Sequence, residues 1–228
     1  MKLKISREIL DFLIIHLIFV VICVAILLIP ISNYIGIKLF ILILIYNILL
    51  PTYGYLRGYS EWINIWLFAL LVSLFQIWPD WFLSSELNIL VFPEDGFIKI
   101  GTVSLYMTGL WTIPLFLIIF TGLKIQERYS KTITYSIVGI ISLLIFGLAE
   151  QTLWILQSWY AQNVFMIGHL ALYIIIPEIM LGISTYYSFL LIREKKHLFK
   201  IPVTFVIMIL YLGNAVFFYF LFDQILLP

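Results

Sequence analysis

Two acids and one histidine stand inside the apolar stretches of the second half of the chain: Glu150, Glu178 and His169. An ionisable side chain in hydrocarbon costs at least about 2.5 kcal/mol on insertion scales, so these groups must face protein or water rather than lipid. At 1.5 Å rise per residue, Glu150 would lie about 26 Å from the inner end of its apolar run. His169 would lie about 8 Å from the outer end of the next run, at a similar depth. The two runs are joined by a few residues and must be antiparallel neighbours, which lets Glu150, Gln151 and His169 approach one another. A Glu/His couple there suits general acid–base work or a proton relay; the same couple also serves as an interhelical hydrogen bond that fixes packing. Glu178 follows Pro177, which removes a backbone donor and kinks a helix. His169 and Glu178 are nine residues apart, on opposite helix faces unless the Pro177 kink rotates one towards the other.

The elements that must position these groups are membrane spans. The chain has 228 residues, 64% of them hydrophobic and 11% charged, with a mean hydropathy of +1.13, against roughly half apolar and about a quarter charged in soluble domains. Runs long enough to cross a bilayer, or nearly so, extend over Phe12 to Pro30, Ile35 to Leu50, Trp62 to Trp78, Val103 to Gly122, Ile133 to Leu156, Val164 to Ile192 and Ile201 to Phe222. A full crossing takes about 20 residues, so runs two and three are short; Pro51 closes one, and Trp62 and Trp78 bound the other as interfacial anchors. No alternation at period two appears, and in lipid every amide must be paired internally, so the expected fold is all-α. The reading is a single transmembrane domain, 1–228, of seven helices. The basic start followed by an apolar run resembles a secretory signal, but the run is too long and lacks a small-x-small site, so it reads as a retained first span.

Charge orients the bundle. With Lys2, Lys4 and Arg7 inside, Arg57, the group Lys124, Arg128 and Lys131, and the group Arg193, Lys195, Lys196 and Lys200 also fall inside, eleven of the thirteen cations. Lys99 and Lys38 are the exceptions, and the Lys38 stem is expected to snorkel outward. The positive-inside rule thus predicts N-in and C-out. The longest outer loop, Pro79 to Ile100, is acidic. Its first part, Asp80 to Val91, reads as a short interfacial helix N-capped by Asp80, ended by the turn Pro93-Glu94-Asp95-Gly96. The loop reads either as a lid over an outward cavity or as a solvated cover for helix ends; its carboxylates have no metal-ligand spacing. Inside, Tyr53 to Glu61 reads as an aromatic belt or, with Arg57, a lipid-headgroup contact. Pro114, beside Thr108, Trp111 and Thr112, interrupts span four, so spans four and six are the ones expected to open a space. Gly139, Gly147 and Gly182 admit close helix approach.

A net charge of +1 leaves no basic surface for nucleic acid. The single cysteine, Cys23, allows neither an intramolecular disulfide nor a cysteine metal cluster. No phosphate-binding loop, dinucleotide fingerprint, zinc motif or nucleophile elbow occurs, so neither cofactor nor metal is expected. The spans do not fall into two similar halves, which gives no support to an inverted-repeat transporter.

Phe92-Pro93-Glu94-Asp95-Gly96, Gly101-Thr102 and Gly109 to Phe116 are similar to an uncharacterised bacterial and cyanobacterial multi-pass membrane family. So are Glu150 to Trp154, Trp159 to Val164, and Gly168-His169 with Tyr173, Pro177-Glu178 and Leu181-Gly182. That resemblance implies a bacterial plasma membrane or a thylakoid. More remotely, a Gly-Leu-Trp-Thr-Ile-Pro-Leu-Phe span followed by an acidic span with tryptophans resembles multi-pass carotenoid hydratases and lycopene cyclases, which protonate a polyene. Pro177-Glu178 lacks the second acid of the Pro-Glu-Glu signature of the cyclases. The resemblance implies Glu150 or Glu178 as proton donor and aromatic rings as carbocation stabilisers.

The leading expectation is a pocket for an isoprenoid or other membrane lipid between spans four to six, towards the outer side. Glu150, His169 and Glu178 would be catalytic there, and Trp111, Trp154 and Tyr173 would bind the substrate. Its rivals are a scaffold subunit held by partners in a membrane complex, and a small transporter.

Overall fold

A computed structural model describes residues 6–30 and 35–227; Lys2 and Lys4, used above to orient the chain, lie outside them. Seven helices are long and apolar enough to cross a membrane, and the chain is an integral, multi-pass membrane protein. They are α1 (Arg7–Leu27), α2 (Ile35–Arg57), α3 (Ser60–Trp81), the pair α4 (Met107–Leu110) and α5 (Thr112–Gln126) forming one span, α6 (Lys131–Leu153), α7 (Leu172–Ile192) and α8 (Lys200–Tyr219). The outward faces are aliphatic: Leu17, Val21 and Val24 on α1, for example, are exposed. In a membrane such faces meet lipid, while backbone groups are paired within each helix.

Several boundaries differ from the apolar runs. Pro51 does not close the second span, because α2 continues through it to Arg57. Proline removes one donor, a loss that a membrane helix sustains when its neighbours pack around it. Nor does Pro79 end the third span: α3 runs on to Trp81 and passes into a π-helical turn, Phe82–Glu86. The short interfacial helix expected over 80–91 is therefore not formed. Asp80 is 3% exposed and belongs to the last turn of α3. Span six starts later than its apolar run, because residues 166–171 form a hairpin, β5 (Met166–Ile167) with β6 (Leu170–Ala171), turned at Gly168 with φ +67°.

Chain order places the 82–106 and 157–171 segments at the same end of the bundle, the cavity end. There β1 (Leu90–Val91) pairs with β4 (Tyr160–Ala161), and β2 (Lys99–Ile100) with β3 (Val103–Ser104). Leu39, Ile77, Phe92, Val103, Tyr106 and Trp159 form a cluster that ties both segments to α2 and α3. Asp95 is buried, and its carboxylate accepts from the Phe97 amide (2.9 Å) and the Ser104 hydroxyl (2.6 Å). Glu94 pairs with Lys99 at 2.9 Å. The buried Asp95 carboxylate thus ties the turn at residues 95–97 to Ser104. Lys38 does not snorkel outward; it is buried, and its ammonium donates to the Leu27 and Ile29 carbonyls, closing the C-terminal end of α1, where the helix dipole favours a cation.

The opposite end is laced by polar contacts. Arg57 meets Asp11 at 3.2 Å and lies over the Tyr53 ring, while Tyr59 donates to Asp11 at 2.8 Å. Trp62 donates to Glu8, which also pairs with Lys124. The buried Lys200 donates to Asn64, whose amide in turn donates to the Arg193 carbonyl. Arg57 thus serves an internal ion pair.

Packing of α6 on α7 depends on Gly182. A Cβ at that position would overlap the Ser142 side chain, whereas one at Gly147 would meet only Leu170 at 3.9 Å. Gly182→Val should therefore force the two helices apart and destabilise the fold by about 1–3 kcal/mol. Gly147→Val should leave it close to wild type, as read by thermal unfolding of the purified protein.

Candidate functional site

At the cavity end the helices enclose a space of about 370 Å3, within the range of small-ligand sites. Its walls come from the C-terminal half of α1 (Phe19, Cys23, Leu27), from α2 (Leu39, Leu42, Ile43), and from the loop residues Leu83, Leu90 and Phe92. The α4–α5 junction adds Trp111 and Pro114, and α6 adds Phe146 and Ala149. Against this apolar lining stand three acids: Asp80 from α3, Glu150 from α6 and Glu178 from α7.

Local structure explains how each arrives. Along α3 the buried positions Ala69, Val72, Ser73, Gln76 and Asp80 follow helical spacing, so continuation through Pro79 carries Asp80 onto the inward face. Its carboxylate accepts from the Trp111 indole at 3.3 Å. Trp111 sits at the break between α4 and α5, and Pro114 occupies the first turn of the restarted helix, where no intrahelical donor is required. Glu150, near the end of α6, accepts from the Trp159 indole at 2.9 Å. Glu178 is 4% exposed and hydrogen-bonds to no other described residue. Pro177 before it lacks the N–H that would reach the Tyr173 carbonyl. Tyr173 and Tyr211, both buried, complete the polar part of the lining. The three carboxyl groups lie within electrostatic range of one another. None forms an ion pair, and no Lys, Arg or His lines the cavity among the described residues.

Of the residues singled out in the sequence, the cavity brings together Glu150, Glu178, Trp111 and Tyr173. It does not include His169 or Trp154. His169 stands at the exposed tip of the β5–β6 hairpin, its ring stacked on Trp154 with centroids 3.8 Å apart, in a separate cleft beside Tyr160. Gln151 makes the expected approach between the spans, receiving the His169 amide at 3.1 Å and donating to the Ile167 carbonyl at 2.6 Å. Glu150, one residue earlier, points the other way. The couple fails because the helix begins only at Leu172, which takes His169 out of the depth calculation.

Asp80 and Tyr211 are the members that sequence reading missed. The signal for Asp80 was the Ala69–Val72–Gln76 spacing, which reaches it once Pro79 is read as internal to the helix. Tyr211 had no signal beyond its aromatic type.

Residues 77–222 match the family described as a domain of unknown function, DUF6989, and the chain belongs to it. The matched region runs from the end of α3 into a π-helical turn that follows α8, Phe220–Leu226, and contains all three acids. No match was found among curated proteins or among solved structures.

The indole–carboxyl contacts carry stability as well as position. Trp159→Phe removes the hydrogen-bond donor to Glu150 and leaves a half-buried acid without it, so unfolding in detergent should be easier by about 1 kcal/mol. Adding Glu150→Leu removes the acid too and should recover part of that loss, because deleting both partners is far less costly than orphaning one.

Proposed function

We propose that the protein binds an apolar isoprenoid or carotenoid-like lipid in this cavity and modifies it by acid–base chemistry. The observation that carries the reading is the convergence of Asp80, Glu150 and Glu178, from three helices, on a cavity whose other walls are almost wholly apolar and aromatic. Aliphatic walls suit a hydrocarbon chain, while a protonated carboxyl group can donate to an alkene. In that step the alkene π electrons take the proton from the carboxyl oxygen, leaving a carboxylate and a carbocation. The carboxylate, or a neighbouring one, then accepts a proton from the carbon beside the cation. The sum is a redox-neutral isomerisation or ring closure. Glu178, free of hydrogen bonds to other described residues, is the best placed to give the proton; Glu150 and Asp80, each held by an indole, are suited to receive one. Trp111, Tyr173 and Tyr211 supply ring faces to the cation.

The cation distribution supports an N-in, C-out orientation, which turns the cavity end towards the outer side. The whole chain then acts as one transmembrane unit, with substrate reaching the site from the bilayer.

Cells lacking the protein, complemented with wild type or variants, provide the test by mass spectrometry of extractable lipids. Glu150→Gln and Glu178→Gln should each abolish a product that wild type restores, while both variants still insert. His169→Ala, outside the cavity, should retain it. An unchanged lipid profile between the deletion and its parent would refute the reading.

A further inference from the structure

We infer that the cavity recognises a cationic centre carried on an apolar chain, as in a long-chain isoprenoid amine. This rests on the reading of the cavity as a lipid site. Buried carboxyl groups in proteins are normally matched by a basic partner; here the buried Asp80 and Glu178 share one space with the half-buried Glu150, and no Lys, Arg or His is in the lining. The donors that reach them are neutral indoles, one on Asp80 and one on Glu150. Glu178 is more than nine-tenths buried, lines the cavity and has no hydrogen-bond partner among the described residues, so its oxygens are free to face an occupant.

The aromatic walls point the same way. Trp111 packs edge to face on Tyr211, with centroids 5.8 Å apart, and Trp159 and Tyr173 also line the space. Ring faces and carboxylates both attract positive charge, most strongly where water is excluded. A stable ammonium on an isoprenoid chain would occupy the position where a carbocation develops in the proposed chemistry. A site that stabilises the transient cation should therefore hold its stable mimic more tightly than the neutral chain.

The probes are farnesylamine and farnesol, of equal chain length, titrated at neutral pH against the full chain in nanodiscs of zwitterionic lipid, with tryptophan fluorescence as readout. Empty nanodiscs correct for partitioning into the bilayer. The amine should bind at least about tenfold more tightly than the alcohol. Glu178→Gln should remove that preference, bringing the affinity for the amine down to that for the alcohol. If both probes bind equally, or if the preference survives Asp80→Asn, Glu150→Gln and Glu178→Gln alike, the inference falls while the lipid site stands. If neither probe binds, the lipid site falls with it. The wild-type comparison needs no variant to fold.

Discussion

Hydrocarbon offers no hydrogen-bond partner, so each acid that lines the cavity must find its environment within the bundle. That constraint accounts for much of the local geometry. α3 passes through Pro79 to turn Asp80 inward, and the fourth span breaks at Trp111, whose indole reaches Asp80. The 157–161 segment folds back over the helix ends and brings Trp159 to Glu150. Each interruption of regular helix near the cavity is associated with an acid or its donor. The π-helical turn after α3 fits the same pattern, since such turns accommodate an extra residue where a site needs width.

The two ends of the bundle divide the work. At the end away from the cavity, charges are neutralised within the chain: Asp11 by Arg57, Glu8 by Lys124. Phe12, Trp62, Phe116 and Phe120 pack face and edge beside them. At the cavity end the three acids receive no counter-charge. Uncompensated acids beside an open space cost stability, and the laced opposite end together with the Lys38 closure of α1 supplies a frame that can carry that cost.

The apolar runs alone were enough to read seven spans and an all-helical bundle, because the length of a hydrophobic stretch is set by bilayer thickness. Boundaries were harder. Proline was read as a stop at Pro51 and as a loop opener at Pro79, yet both lie within helices, since packing from neighbouring helices outweighs one missing hydrogen bond. The consequence was largest at Asp80, which looked like a cap on a surface helix and is instead an inward acid. Glu150 and Glu178 were legible because a charge in an apolar run can hardly be anything but inward-facing. His169 was misplaced for the converse reason: Val164 to Ala171 is apolar enough to read as membrane helix, but Gly168 turns it into a hairpin.

The choice of indoles as partners bears on chemistry as much as on stability. An Arg or Lys beside Glu150 would lock the carboxylate in its charged form and fill the cavity with a fixed cation. A Trp N–H fixes the orientation of one oxygen and leaves the group free to take or release a proton. It also presents an apolar face to whatever shares the space. Asp80 and Glu150 are held in this way from different helices, while Glu178 faces the cavity without such a restraint. That asymmetry gives otherwise similar acids different settings: two are positioned by indoles, and the third faces the cavity with no hydrogen-bond partner among the described residues.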